Sequence, residues 1–320
     1  VPTAPKVSGR PSALDLPQAP DGFRKVMKAL RARPPLRSAR LPAEPPWRSR
    51  FLAPPQAVPR VSLREFGYHD GELLHGKGGR VDDTALAGPW RILTDEGLDH
   101  LSAVCEQLEA AAQDAGFTAT RRLRAADLLS PFIANMIRDR AFLLTCSRLV
   151  GIPLIPHPLR LPTAQINYGE GGGRQGGVRW HRDGMDYVFT IQLSGYEDYD
   201  GGRFTYFRGR ADEFPGPVPD DSRFREADLG ERGATLFLHG SRIFHAVTPV
   251  TKGHRVTLVI SLFCPYFARQ DSNTFWHLAA DDGIAATLPG WLRLKRPVRN
   301  PAVDFGLRAA SPVVTWDDLP

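Results

Sequence analysis

His181 and Asp183 stand two residues apart in VRWHRDGMDYVFTIQLS, just ahead of a run rich in β-branched and aromatic residues. In an extended segment side chains alternate faces, so the imidazole and the carboxylate project from one side and can grip one cation. A third ligand is required, and His245 in IFHAVTPV, ahead of GHRVTLVISLF, supplies one. Two histidines and one carboxylate on one face form a ligand set that suits Fe(II) and leaves coordination positions open. His239 and His254 are rival ligands in other registers, whereas His157 in PHP reads as structural.

Such a set has to be held by strands. From Pro162 onward TAQINY, DYVFTIQL, GRFTYF, GATLFLH and RVTLVISLF are short runs with β-forming composition, separated by Gly, Pro and Asp. Strands in succession without intervening helices predict a sandwich or jelly roll. The stretch Gly209 to Gly233 is too long and polar for a tight hairpin and reads as a lid or binding loop. Two helices precede the strands and are expected to buttress the sheet. One is capped by Thr94, carries Leu98, Leu101, Val104, Cys105 and Leu108 on one face, and should stop at Gly116. The other opens at Ser130-Pro131 and is expected to run to Gly151.

Four segments follow. Residues 1–64 form a Pro/Arg-rich extension, residues 65–161 a connecting and helical support region, residues 162–270 the β core, and residues 271–320 a C-terminal extension packing on that core. Within the first, Gly22 to Arg33 is a short amphipathic helix candidate, and Phe23, Trp47 and Phe51 favour docking over free disorder. Val61 to Pro89 reads as a loop-rich connection. Of the formal charge of +6, residues 1–93 carry a net +8 and the remainder a net −2, so the basic balance belongs to the front and not to the catalytic region. A solvated basic arm is the plain reading; contact with nucleic acid or an acidic surface is the alternative. Three scattered cysteines, Cys105, Cys146 and Cys264, exclude a disulfide framework and fit buried thiols in a reducing compartment. No apolar run reaches the length of a membrane span. With no signal-peptide apolar region at the front, a cytoplasmic location is expected, or an organellar one if a transit segment has been removed.

The ordered set QINYGEGGG, HRD, DGGRFTYF, GATLFLHG, then a histidine and GHR resembles the prolyl-4-hydroxylase-like branch of the Fe(II)/2-oxoglutarate-dependent dioxygenases over about Thr163 to Phe267. The resemblance implies a mainly β fold with flanking helices around a double-stranded β-helix (jelly roll, cupin-like) core. It implies His181, Asp183 and His245 as metal ligands, since HAVTPVTKGHR keeps the family's order of histidine, turn glycine and cation. Arg255 is then the cation for the far carboxylate of 2-oxoglutarate, which a guanidinium fork meets with two charge-assisted hydrogen bonds. Thr257, on the same strand face, adds a hydroxyl, and Tyr168 is implied to hydrogen-bond the cosubstrate. Gln192 departs from the pattern, standing where family members often carry tyrosine near that carboxylate.

The implied reaction is hydroxylation of an unactivated C–H bond in a small-molecule (amino-acid or natural-product-like) or peptidyl substrate, consuming O2 and releasing succinate and CO2, with ascorbate in a supporting role. The carboxylate of Asp183 argues against halogenation, because related halogenases carry a small residue there. Trp180, Arg182, Asp186, Tyr187 and Arg203 flank the ligands and are expected to contact substrate. Arg174, Arg179, Arg182 and Arg203 favour an anionic substrate, with solvated loop cations as the alternative. Two other readings compete: a non-catalytic cupin-like binding module, and an oxygenase directed to nucleic acid by the basic extension. The complete His/Asp/His/Arg set speaks against the first, and the slightly acidic core without a recognisable nucleic-acid motif speaks against the second.

Overall fold

The computed structural model describes residues 44–53, 57–115, 121–172, 177–217, 221–273, 275–296 and 299–319. The helix candidate Gly22 to Arg33 and residues Gly116 and Arg174 lie outside the described residues. In chain order the strands are β1 (Arg60–Ser62), β2 (Leu74–His75), β3 (Val81–Asp82), β4 (Thr84–Arg91), β5 (Gln113–Asp114), β6 (Arg121–Arg124), β7 (Ile155–Pro156) and β8 (Ala164–Glu170). They continue as β9 (Val178–His181), β10 (Tyr187–Gln192), β11 (Tyr199–Gly201), β12 (Phe204–Phe207), β13 (Phe224–Ala227), β14 (Ala234–His239), β15 (His245–Val247) and β16 (Val250–Phe263). The helices are α1 (Asp95–Leu108), α2 (Ala126–Leu129), α3 (Pro131–Arg138), α4 (Arg140–Val150), α5 (Phe275–Asp282), α6 (Ile284–Leu294) and α7 (Pro301–Ala309).

Two antiparallel sheets form the jelly roll. The larger runs β1-β4-β14-β10-β16-β8-β6-β5, with β7 and β11 also pairing with β16; the smaller runs β13-β12-β15-β9. Alternation along β16 explains the layering. Leu258, Ile260 and Leu262 face a cluster with Ala164, Ile166 and Tyr168 of β8, Phe189 and Ile191 of β10, and the apolar stripes of α1, α3 and α4. Burying each of those leucines and isoleucines contributes about 1.5–3 kcal/mol. The residues of opposite parity, Arg255, Thr257, Val259 and Ser261, therefore face the other way, with Val259 against the C-terminal helical cluster. The C-terminal helices pack over Ile155, Leu159, Val188 and Phe263 through Leu278, Leu294 and Phe305.

Local chemistry sets the element ends, and several expectations are corrected: α1 ends at Leu108, short of Gly116, and the Gly209 to Gly233 stretch contains β13, paired with β12. Thr94 accepts from the Gly97 amide at the start of α1, and Ser130 accepts from the Ile133 amide with Pro131 in the first turn of α3. The helix expected from Ser130 to Gly151 is instead two, because Asp139 is extended (φ −65°, ψ 127°). Its carboxylate caps α4 through the Ala141 and Phe142 amides and also accepts from Trp47 Nε1, tying the extension to the helices. Trp47 and Phe51 both pack on Phe132, so this part of the extension docks. The region expected to be a loop-rich connection holds β4, which lies beside β14 in the large sheet. Its Ala-Leu-Ala-Gly-Pro composition hides it from β propensity; tertiary pairing makes the strand. All three cysteines are buried and unpaired.

Candidate metal centre and anion pocket

His181 ends β9 and His245 begins β15, and the two are cross-strand partners. Their ring centroids lie 4.2 Å apart. Asp183 follows β9 by two residues, with its amide donating to the Gly240 carbonyl at 2.9 Å. His181 Nδ1 lies 2.8 Å from the Arg179 carbonyl and His245 Nδ1 lies 3.1 Å from the Ile243 carbonyl. A carbonyl can only accept, so each Nδ1 carries the proton and each Nε2 keeps its lone pair for a ligand. Those Nε2 atoms converge on Asp183, at 3.3 Å from Oδ1 and 3.5 Å from Oδ2. One ligand atom from each residue falls within 4.8 Å of the others, so His181, Asp183 and His245 can hold one metal ion. Among the described residues no other cluster of three such groups does so.

Burial, and then the neighbouring His181, push the His245 imidazole down to about 4, so it is neutral and ready to ligate at neutral pH. Phe204 stacks on its ring at 5.6 Å. Gly240 is required here, because a Cβ there would stand 2.6 Å from Asp183 Oδ2.

The interior floor lies on the large sheet. Arg255 is only 7 % exposed, and its Nε has no hydrogen-bond partner. Among the described residues no carboxylate pairs with it; its polar neighbours are the phenols of Tyr199, which hydrogen-bonds it, and Tyr196. Burial lowers its affinity for the proton, and Tyr199 works the other way. Gln192 lies across from Thr257 on the same face, donates from Nε2 to Tyr199 Oη at 2.9 Å, and leaves its own Oε1 unpartnered. Gly202 sits against this group with φ +61°, where a Cβ would stand 2.8 Å from both Arg255 Cδ and the Tyr199 ring. A buried cation without a counter-ion costs several kcal/mol. An anion on this floor would offset that cost.

Several expected residues lie elsewhere. Tyr168 pairs with Val256 and not with Arg255, so it faces the helices, where its hydroxyl donates to the Cys105 carbonyl at 2.6 Å. It cannot serve the interior. Trp180 alternates with His181 and packs outside the small sheet against Phe214 and Phe224, at 5.4 and 5.0 Å. Tyr187 faces outward as well and donates to Asp82 at 2.7 Å. Arg203 lies over the Tyr196 ring at 3.3 Å, with Glu226 4.0 Å away. Arg182 and Asp186 do reach a cavity beside Asp183.

The rival ligands are disposed of by the same parity. His239 faces Asp82 at 3.3 Å, His254 faces Glu109 at 3.3 Å, and His157 is buried against Asp271. Tyr199 escaped the sequence reading, because the short strand β11 that carries it shares no spacing with the ligands; the Gly201-Gly202 pair just beyond it was the available signal. The phenol expected at the position of Gln192 arrives from Tyr199 instead.

No family profile and no curated protein matches the sequence. Among solved structures, the 2-oxoglutarate-dependent epimerase SnoN from nogalamycin biosynthesis is 15% identical, covering 57% of this chain and 78% of its own, with a TM-score of 0.44. The carbocyclase SnoK from the same biosynthesis is 19% identical over 57% of this chain and 80% of its own, with a TM-score of 0.44. HygX from Streptomyces hygroscopicus, with nickel, 2-oxoglutarate and hygromycin B bound, is 18% identical over 54% of this chain and 80% of its own, with a TM-score of 0.40. These are distant likenesses, and the functional reading rests on the side chains of the site.

Proposed function

We propose that this protein is an Fe(II)- and 2-oxoglutarate-dependent dioxygenase of the prolyl-4-hydroxylase-like kind that its sequence resembles, hydroxylating a small-molecule or peptidyl substrate. The observation that carries the reading is Arg255: a buried guanidinium with no carboxylate partner among the described residues, on the interior of the same jelly roll that presents His181, Asp183 and His245. His181, Asp183 and His245 would hold the metal that takes the 2-oxo acid end of a dicarboxylate, and Arg255 would meet its far carboxylate.

The residues fit the groups they would hold. Two neutral imidazoles and a carboxylate suit a divalent ion of borderline softness and leave positions open. When bound, iron and 2-oxoglutarate supply the oxidative chemistry, with one O2 consumed, one oxygen atom entering the substrate C–H bond and the other leaving in succinate beside CO2. Asp183 and the two Nε2 atoms fix the ion. Arg255, Thr257 and the Tyr199 hydroxyl orient the far carboxylate, and Gln192 holds that phenol in place. Phe204, which stacks on His245, belongs to one apolar cluster with Leu236 and Leu238 that would limit water near the metal.

Anaerobic addition of Fe(II) and 2-oxoglutarate to the full chain should produce the weak visible charge-transfer band of the chelate. A band that never forms in wild type, or that persists in His181→Ala, overturns the assignment.

A further inference from the structure

Beside Asp183, outside the anion floor, the structure has a cavity of about 350 Å³, near the lower end of the range for small-molecule sites. Arg182, Arg242, Asp186, His239, Ser241 and Ser272 line it. Arg255, Gln192 and Tyr199 do not, so it is separate from the pocket assigned to 2-oxoglutarate.

Its two guanidiniums are unusual in their company. Arg182 donates from Nη1 to the Ser241 carbonyl at 2.9 Å and lies over the Phe244 ring at 5.4 Å, while its buried Nε has no hydrogen-bond partner among the described residues. Arg242 donates from Nη2 to the Glu72 carbonyl at 2.9 Å and lies over the Tyr68 ring at 5.3 Å. Neither forms an ion pair among the described residues. Each guanidinium has five N–H donors, so most of their capacity is unspent.

The carboxylates on the same wall are already engaged. Asp186 is half-buried and accepts from the Ser241 hydroxyl, from the Ser272 hydroxyl at 2.7 Å and from the Ser272 amide at 3.2 Å. Asp183 belongs to the metal triad. His239, 3 % exposed, adds an Nδ1 without a partner, its other nitrogen lying 3.3 Å from Asp82. Two positive charges with spare donors, held by backbone carbonyls and aromatic faces, make a fork for a bidentate anion. Asp183 on the wall sets that anion next to the metal.

We propose that this cavity binds the anionic group of the substrate, a small molecule bearing a carboxylate or phosphate. The assignment rests on the oxygenase reading for the word substrate, and the test separates the two. The full chain is loaded anaerobically with Fe(II) and 2-oxoglutarate, and formation of the visible chelate band is recorded first. Inorganic phosphate is then titrated and its ³¹P line width followed.

Saturable binding is expected in wild type. It should weaken at least tenfold in Arg182→Gln/Arg242→Gln while the chelate band forms normally, and should be unchanged in Arg255→Gln. Arg242→Lys, which keeps the charge and loses the fork, guards against misfolding of the double variant and should weaken binding severalfold. No saturable binding in wild type, equal binding in the folded Arg182/Arg242 variants, or loss in Arg255→Gln instead overturns the proposal. If the chelate band is absent while phosphate still binds through the two arginines, the oxygenase reading falls and the anion site stands. Small carboxylic acids should also stimulate succinate formation at least tenfold over their primary amides; equal stimulation by acid and amide counts against the site as the substrate's anchor.

Discussion

The candidate metal ligands sit where two short strands of the small sheet meet a turn, whereas the buried Arg255 stands in the middle of the large sheet. In the first region three side chains aim lone pairs at one point, and backbone carbonyls at Arg179 and Ile243 fix the tautomers. In the second, one charge is embedded among phenols, an amide and a threonine, and the fold tolerates the cost. The first half is defined by donors waiting for a cation, the second by a cation waiting for an anion. Perturbing each half should give separable losses.

The largest effect belongs to the ligands. His181→Ala should lower Fe(II) affinity by more than about 100-fold, exceeding the roughly 10–100-fold typical of losing only a ligand's outer partner. Turnover, followed as succinate formation, should fall to background. Retention of both in that variant removes His181 from the triad.

Arg255→Gln should leave metal binding intact and weaken 2-oxoglutarate about 100-fold, since removing one partner of a desolvated charge pair costs about 2–5 kcal/mol. The same comparison makes a less obvious prediction. Without an anion, wild-type Arg255 is an uncompensated buried charge, so Arg255→Met should raise the melting temperature of the cosubstrate-free protein. A lower melting temperature in that variant means that Arg255 has a compensating partner after all.

Acid should separate the halves again. The His245 imidazole moves from an ordinary value of 6.5 to about 4 on folding, because burial and His181 oppose its charge. A group whose folded value is depressed contributes stability that is complete above the unfolded value. That stability is lost as pH falls from about 6.5 to about 4, amounting to roughly 3 kcal/mol in the metal-free protein. His245→Gln should flatten this part of the stability profile, measured by denaturant unfolding across the window. An unchanged slope in the variant assigns the acid lability elsewhere.

How much of this was legible in the sequence follows from the distances along the chain. His181 and Asp183 declare themselves by spacing, and Arg255 and Thr257 share a face because strand alternation is a local rule. The five strands with alternating composition were readable for the same reason. Strand β4 was not, since its Ala, Gly and Pro take strand form only through pairing with β14. The helix break at Asp139 is a local N-cap, with the Ala141 and Phe142 amides donating to its carboxylate, but the helical pattern on both sides hides it, and its bond from Trp47 joins residues 92 apart. Trp180 and Tyr187 adjoin the ligands in sequence, yet alternation turns both to the outer face. Parity along β16 and β8 could have excluded Tyr168, but the register of that pair is a tertiary fact.

Two tyrosines put the comparison to its finest test. Both are buried and both hydrogen-bonded: Tyr199 to Arg255 and Gln192 on the interior, Tyr168 to the Cys105 carbonyl on the helical side. Removing a hydroxyl deletes about 1 kcal/mol of net hydrogen bonding in either place, but leaves different partners stranded. In Tyr199→Phe the orphaned groups are those that should orient the cosubstrate, so its KM should rise about fivefold in addition to a stability loss of about 1 kcal/mol. In Tyr168→Phe the orphan is a helix carbonyl, so stability should drop by about 1 kcal/mol with KM unchanged. Exchange of these two outcomes would place the cosubstrate on the helical side of β8, contrary to the strand register. Equal KM effects would show that the phenols act through packing and not through the face they occupy.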